Sequence, residues 1–236
     1  MKKLVIIANG SSLNKHYERG DFELLKNVDT LAMNEFDRFI EKHDLDFLPT
    51  IYTWWEQDSH LSARARAIKV VEHFIDKGVR CYLARHFYDW MVASKLMPKR
   101  EHWYTIEGNV QFVSRCWQRN HGGQLDDCSP GGWHLPRLCI YGGSMIGVTQ
   151  LAYMLGYNEV GIAGADLGFM KKVTHFDKNY PSSFEAGMKL DRQDDTLRNV
   201  HQWAKDEFEK VGRKIYNVGI GGELEVYPRI ELREFV

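Results

Sequence analysis

The sequence has 236 residues, 44% of them hydrophobic, enough to bury a substantial core as one domain. A formal net charge of -1 excludes a globally basic surface and with it nucleic acid as an expected partner, so any phosphate-binding charge must be local. No apolar run nears the roughly 20 residues that cross a bilayer, and four cysteines without Cys-x-x-Cys spacing, behind a start lacking signal-peptide character, predict free thiols in a cytoplasmic setting.

In chain order, the first expected strand covers 4–8 and breaks off into Asn9-Gly10-Ser11-Ser12. Further short β-branched runs predict strands at 30–33, 50–53, 80–84, 159–163 and 214–217. Helical spacing falls between them. Residues 62–75 carry Ala65, Ile68, Val71 and Ile75 on one face, and 145–155 carry Met145, Val148, Leu151, Ala152 and Leu155. The third stripe, in 197–211, is Leu197, Val200, Ala204, Phe208 and Val211. Gly78, Gly156 and Gly212 each stand between such a helix and the next strand, where a left-handed residue stops a helix. This alternation predicts an α/β fold: one Rossmann-like domain over 1–236, with a mostly parallel sheet and helices on both faces. From 95 to 141 the rhythm fails, and Trp103, Trp117, Trp133, Pro130 and Pro136 predict an irregular aromatic-rich insertion, a lid or binding loop. Its tryptophans either stack on a sugar or base or pack the insertion onto the body. The alternating tail 217–235 predicts an edge strand or a subunit contact, with Arg229 within reach of a donor carboxylate as the alternative.

Ligands of a parallel sheet bind beyond the strands' carboxyl ends, where strand order reverses. Asn9-Gly10-Ser11-Ser12 is expected there. Gly10 allows a tight turn, backbone N–H groups and the Ser11 and Ser12 hydroxyls can donate to phosphate, and the Asn9 amide donates and accepts. The same residues also read as an ordinary Asn-Gly turn with Ser12 capping a helix. The pattern is neither GxGxxG nor GxxxxGK[ST], which leaves a dinucleotide fold or a P-loop unsupported. Gly142-Gly143-Ser144 precedes a helix, whose free N–H groups and positive dipole end form an anion seat. Asp166 ends the following strand, where a carboxylate faces a ribose hydroxyl, a base amino group or a metal, or is a plain turn residue. Just beyond, His175 suits a general base, in a loop that also holds Asp177 and Tyr180. Asp166, His175 and Asp177 offer a weaker divalent-cation alternative.

Taken together, these motifs resemble the bacterial sialyltransferases of glycosyltransferase family 42. They also resemble the related family long catalogued as domain of unknown function 115, which includes motility-associated factors and a 6-hydroxymethylpterin diphosphokinase. Ala-Asn-Gly-Ser-Ser-Leu is similar to the Asn-Gly-Pro-Ser-Leu opening of family 42, with Ser11 in place of proline. Met-Asn-Glu-Phe looks like its Asn-x-Phe strand end, with Asn34 as the counterpart. Gly-Gly-Ser-Met, Leu-Gly-Tyr-Asn-Glu-Val and Gly-Ala-Asp-Leu look like its later turn, helix end and strand end. The similarity is concentrated in 1–34 and 142–177. It implies a CMP-activated acidic sugar as donor, transferred with inversion, and Asn9, Asn34, Ser144 and Asp166 in the nucleotide pocket. Two family tyrosines that hold the donor phosphate correspond to Gly168 and Thr174, so Tyr180 or Arg85 would replace them. The family's catalytic histidine corresponds to Asp194 and Asp195, which makes His175 the first choice of base, Asp194 the second and His201 the third.

The expected function is therefore a glycosyltransferase moving a nonulosonic or similar sugar from a CMP donor to a glycan or other hydroxyl acceptor. His175 would take the acceptor proton, while Ser11, Ser12 and the Gly142-Gly143-Ser144 helix start stabilise the leaving phosphate. No cofactor is required if those donors suffice, and Mg²⁺ is the alternative. The rivals are an ATP- and Mg²⁺-dependent pterin diphosphokinase using Asp166 and Asp177, and an inert nucleotide- or glycan-binding module. A homo-oligomer and peripheral contact with a membrane are compatible with this composition.

Overall fold

The computed structural model describes residues 1–55, 61–93, 106–107, 109–116, 137–139, 144–167, 175–177 and 193–236. The elements run β1 (Lys3–Ile7), α1 (Leu13–Glu18), α2 (Phe22–Leu25), β2 (Asp29–Met33), α3 (Phe36–His43), β3 (Ile51–Trp54), α4 (Leu61–Asp76), β4 (Arg80–Ala84) and α5 (Arg85–Ala93). There follow β5 (Ile106–Glu107), β6 (Val110–Cys116), β7 (Arg137–Cys139), α6 (Ser144–Met154), β8 (Glu159–Ala163), α7 (Gln193–Lys210), β9 (Lys214–Asn217) and α8 (Leu232–Phe235). Seven strands form a parallel sheet in the order β6-β4-β3-β2-β1-β8-β9, with β5 antiparallel to β6 and β7 pairing with the end of β6.

β1 lies between β2 and β8, in register through Val5 opposite Thr30 on one side and Gly161 on the other. Both faces of this strand are covered, so its side chains need no polar alternation, and Leu4, Val5, Ile6 and Ile7 are all fully buried. Val5 and Ile7 join one core with α1 to α5 residues such as Leu13, Phe22, Phe36, Phe74 and Phe87. Leu4 and Ile6 join the other with Val148, Leu151, Val200 and Phe208 of α6 and α7. The fold is α/β and Rossmann-like, with helices on both sheet faces.

The expected strands all form, and Gly78, Gly156 and Gly212 do adopt positive φ at the helix ends. Four expectations change. Val211, expected on the third stripe, is exposed and lies beyond the end of α7. In α4 the stripe is wider than expected: Ile68, Val71 and Ile75 pack on the core with Ala67, Val70 and Phe74, while Ala65 is exposed. The segment 95–141 is not wholly an insertion, because β6 extends the sheet beyond β4, through Cys81 opposite Val110 to Ala84 opposite Val113. Its three tryptophans lie outside the described residues. The tail makes a single bridge, Asn217 with Arg229, rather than an edge strand. It wraps the β9 edge, placing Leu224 and Tyr227 in one core and Leu232 and Phe235 in the other.

Buried Asn217 fixes that wrap. Its Nδ2 donates to the Leu224 carbonyl at 2.6 Å, and its Oδ1 accepts the Gly219 N–H at 2.8 Å. Its N–H donates to the Pro228 carbonyl at 2.9 Å, and its carbonyl accepts the Ile230 N–H at 3.1 Å.

Candidate functional site

Strand order reverses between β1 and β8, because the chain builds outward from β1 through β2, β3 and β4 and then returns to β1's other edge. The carboxyl ends of β1 and β8 therefore flank the crevice where such sheets take ligands. Asn9-Gly10-Ser11-Ser12 and Asp166 both lie there, as expected from sequence, but they face each other. Asp166 Oδ2 accepts the Ser12 N–H at 2.7 Å and the Ser11 hydroxyl at 3.2 Å. Its Oδ1 accepts the Ser12 hydroxyl.

This alters the expected division of labour. The donors expected to meet phosphate and the carboxylate expected to face a ribose hydroxyl, a base amino group or a metal are used on one another, with Asp166 against the start of α1. Ser12 is the N-cap by position, yet its hydroxyl goes to Asp166 rather than to the helix backbone. Glycine makes the approach possible: a Cβ on Gly10 would stand 2.7 Å from Asp166 Oδ2, and one on Gly164 would stand 2.5 Å from the Ala8 carbonyl oxygen. The Gly10 N–H donates to the Gly164 carbonyl at 2.7 Å, and the Asp166 carbonyl accepts the Glu223 N–H at 2.6 Å.

Asn9 and Asn34 are also brought together. The buried Asn9 amide donates from Nδ2 to the Met33 carbonyl at 3.0 Å, next to Asn34. Asn34 closes β2 with φ 50, a left-handed conformation that asparagine tolerates better than most residues. Its Oδ1 accepts the Trp55 N–H at 3.0 Å, its N–H donates to the Thr53 carbonyl at 2.8 Å, and its carbonyl accepts the Tyr52 hydroxyl. Leu167, just past Asp166, is also left-handed at φ 53, so a non-glycine residue in this sparsely populated region stands on each side of β1.

His175 reaches the same corner by its backbone, through an antiparallel bridge to Gly10. What anchors it is its neighbour. The Phe176 N–H donates to the Asn9 carbonyl at 3.0 Å, and its ring is buried edge-on to Phe39, 5.2 Å between centroids. The Phe176 carbonyl accepts Asn14 Nδ2 at 3.1 Å and Lys42 Nζ at 3.0 Å. Phe176 was missed by sequence reasoning, although an aromatic directly after the histidine was the visible signal. Asp177 is half-buried beside it.

Two of the other expected residues, Ser144 and Asp194, lie at helix starts on the carboxyl side of the sheet. Ser144 opens α6, which packs on β1 and runs back along the sheet into β8, so it starts at the carboxyl edge. Asp194 lies in the first turn of α7, which leads into β9 and starts at that edge too. Gly142, Gly143, Gly168, Thr174 and Tyr180 lie outside the described residues, as do the side chains of Asp194 and Asp195. Arg85 follows β4, three strands from β1 and about 14 Å across the sheet, away from the corner. His201 is a core residue: its Nδ1 pairs with the Tyr227 hydroxyl at 2.9 Å, and burial lowers its pKa to about 4. It is neutral and enclosed, unsuited to meet a substrate. Arg229 is occupied by the Gly219 and Gly221 carbonyls, at 2.5 and 2.9 Å, holding the loop that leads to Glu223.

A charged cluster unforeseen in the sequence lies on the β2 side. Arg66 of α4 donates from Nε to Glu35 at 3.1 Å and also pairs with Asp37, and Arg38 Nε reaches the same Glu35 oxygen at 2.5 Å. Glu35 and Asp37 are both buried. The Glu35/Asp37 and Arg38/Arg66 spacings have no motif form, which is why the pattern stayed silent.

Among the described residues no group of three or more His, Cys, Asp or Glu side chains is gathered as a metal site, and no helix is long and apolar enough to cross a membrane. Both Asp166 oxygens accept hydrogen bonds from Ser11 and Ser12. The class is thus defined at the level of fold, a Rossmann-like α/β protein with a polar corner at its switch point. No protein-family model and no curated protein matches the chain.

Proposed function

We propose that the chain is a glycosyltransferase acting on a nucleotide-activated sugar, with a CMP-linked nonulosonic or similar acid as donor and a hydroxyl, on a glycan or another molecule, as acceptor. The observation that carries this reading is the bridge between His175 and Gly10, which draws a group able to accept a proton to the strand-order reversal. Asn9 and Asn34 stand beside it at the ends of β1 and β2, where a nucleotide's base and ribose would lie.

In this reading the phosphate sits at the start of α6 rather than at Ser11 and Ser12. A leaving phosphate at Ser11 and Ser12 would meet the Asp166 carboxylate, so the start of α6 at Ser144 is the better site for the anion. In this reading Ser11, Ser12 and Asp166 shape the corner, Asn9 and Asn34 hold the nucleoside, Ser144 and the α6 N–H groups face the phosphate, and His175 deprotonates the acceptor. As the acceptor oxygen forms its bond to the sugar's anomeric carbon, the bond to the CMP phosphate oxygen breaks, and CMP leaves with the electron pair.

Thermal shift separates this reading from its rivals, because a ligand that binds the folded state alone raises its stability. CMP is expected to raise Tm, and purified protein is expected to hydrolyse a CMP-sugar slowly, with His175→Ala abolishing turnover while CMP still binds. A rise with ATP plus Mg²⁺ and none with CMP would favour the diphosphokinase instead. CMP binding without turnover of any donor would leave an inert binding module.

A further inference from the structure

The charge cluster that joins α3 to α4 offers a property independent of what the corner binds. Among the described residues, three carboxylates, Glu35, Asp37 and Glu41, share two guanidiniums, Arg38 and Arg66, and full ionisation leaves these five groups with one negative charge in excess. Arg66 bears the linkage, since it alone of these groups comes from α4. Its Nε meets Glu35, and its terminal nitrogen meets Asp37 and, at 3.6 Å, Glu41. Asp37 Oδ1 is buried and has no hydrogen-bond partner among the described residues. A carboxylate with one oxygen on a guanidinium and the other enclosed lacks much of the solvation that ionisation requires.

We propose that the Glu35–Asp37–Arg66 cluster is a pH-sensitive latch between α3 and α4, with Asp37 as the group that takes up the proton. The charged groups facing Asp37 among the described residues are Arg66 from α4 and Glu35, Glu41 and Arg38 from α3 and its cap. Burial is the largest influence and raises the Asp37 pKa; Arg66 pulls it down, Glu35 and Glu41 push it up, and the result is about 7. The folded value lies above the ordinary aspartate value of 3.8, so the folded state holds this proton more tightly than the unfolded chain. The stability Asp37 contributes is fully present below about pH 3.8 and is lost as pH rises through about 7. Protonation removes the excess charge and leaves Arg66 tied to Glu35, while deprotonation restores the repulsion beside Asn34, at the end of β2.

The test uses the full chain. Carbon-13 NMR follows the Asp37 carboxyl from about pH 5 to about pH 9, alongside Tm for wild type and Asp37→Asn and amide exchange corrected for its intrinsic pH dependence. The carboxyl resonance is expected to titrate above about pH 6, and the wild-type Tm to fall by several degrees relative to Asp37→Asn as the pH rises. Protection in α3 and α4 should change across this range more than in the central strands. A resonance titrating below about pH 5, a Tm difference constant with pH, or a change in exchange spread evenly over the molecule would each overturn the latch. Should Asp37→Asn fail to fold, sequential assignment of the wild type supplies the same titration.

Discussion

Carboxylates stand on both sides of the β1 end, and the two sides satisfy them by opposite means. On the β8 side Asp166 is met by two hydroxyls and a backbone N–H, at a spacing that glycine at 10 and 164 alone permits. On the β2 side Glu35 and Asp37 are met by the guanidiniums of Arg38 and Arg66. The first arrangement is fixed by backbone approach and loses most when atoms are added. The second is fixed by charge and responds to protons.

The β8 side should break most severely. Gly10→Ala places a methyl against the Gly164 carbonyl and Asp166, and is expected to cost about 3 kcal/mol or more in urea unfolding. Next comes Asp166→Ala, which leaves the Ser12 N–H and two hydroxyls without their acceptor and should cost about 2–4 kcal/mol, with Asp166→Asn recovering roughly half.

Buried His201 sharpens the contrast by titrating with the opposite sign to Asp37. Its folded pKa of about 4 lies below the ordinary histidine value of 6.5, so the unfolded chain takes up the proton first and stability is lost as pH falls between these values. Replacing His201 with Leu should flatten that acid-side loss. Tyr227→Phe, which leaves the imidazole nitrogen without its hydroxyl partner, should cost about 1–2 kcal/mol near neutrality. Both are read from urea unfolding at several pH values. The smallest effect is expected at exposed Arg229, where Arg229→Ala removes two donations to loop carbonyls and should cost under about 1 kcal/mol by the same measurement.

Much of the sheet was legible in the sequence because buried parallel strands are written as short apolar runs, and β1, β2, β3, β4 and β8 have them. The helix ends at Gly78, Gly156 and Gly212 were legible for a backbone reason, since each requires positive φ. β6 was not, because Val-Gln-Phe-Val-Ser-Arg-Cys sits among tryptophans, glycines and prolines that mask its alternation. For the corner, sequence located Asn9, Asn34 and Asp166 at strand ends and His175 in the loop beyond, but not which partner each would take. Whether Asp166 faces a ligand or Ser12 depends on the register of β1 against β8, a long-range property that no local pattern carries. The Arg66 link between α3 and α4 was hidden for the same reason.

The most direct test of the proposed activity is a crystal structure with CMP bound, paired with calorimetry on the wild type and Ser144→Trp. The account predicts CMP in the crevice between β1 and β8, its base and ribose near Asn9 and Asn34 and its phosphate at the start of α6, with binding lost in Ser144→Trp. CMP bound elsewhere, or held with unchanged affinity by Ser144→Trp, would contradict it.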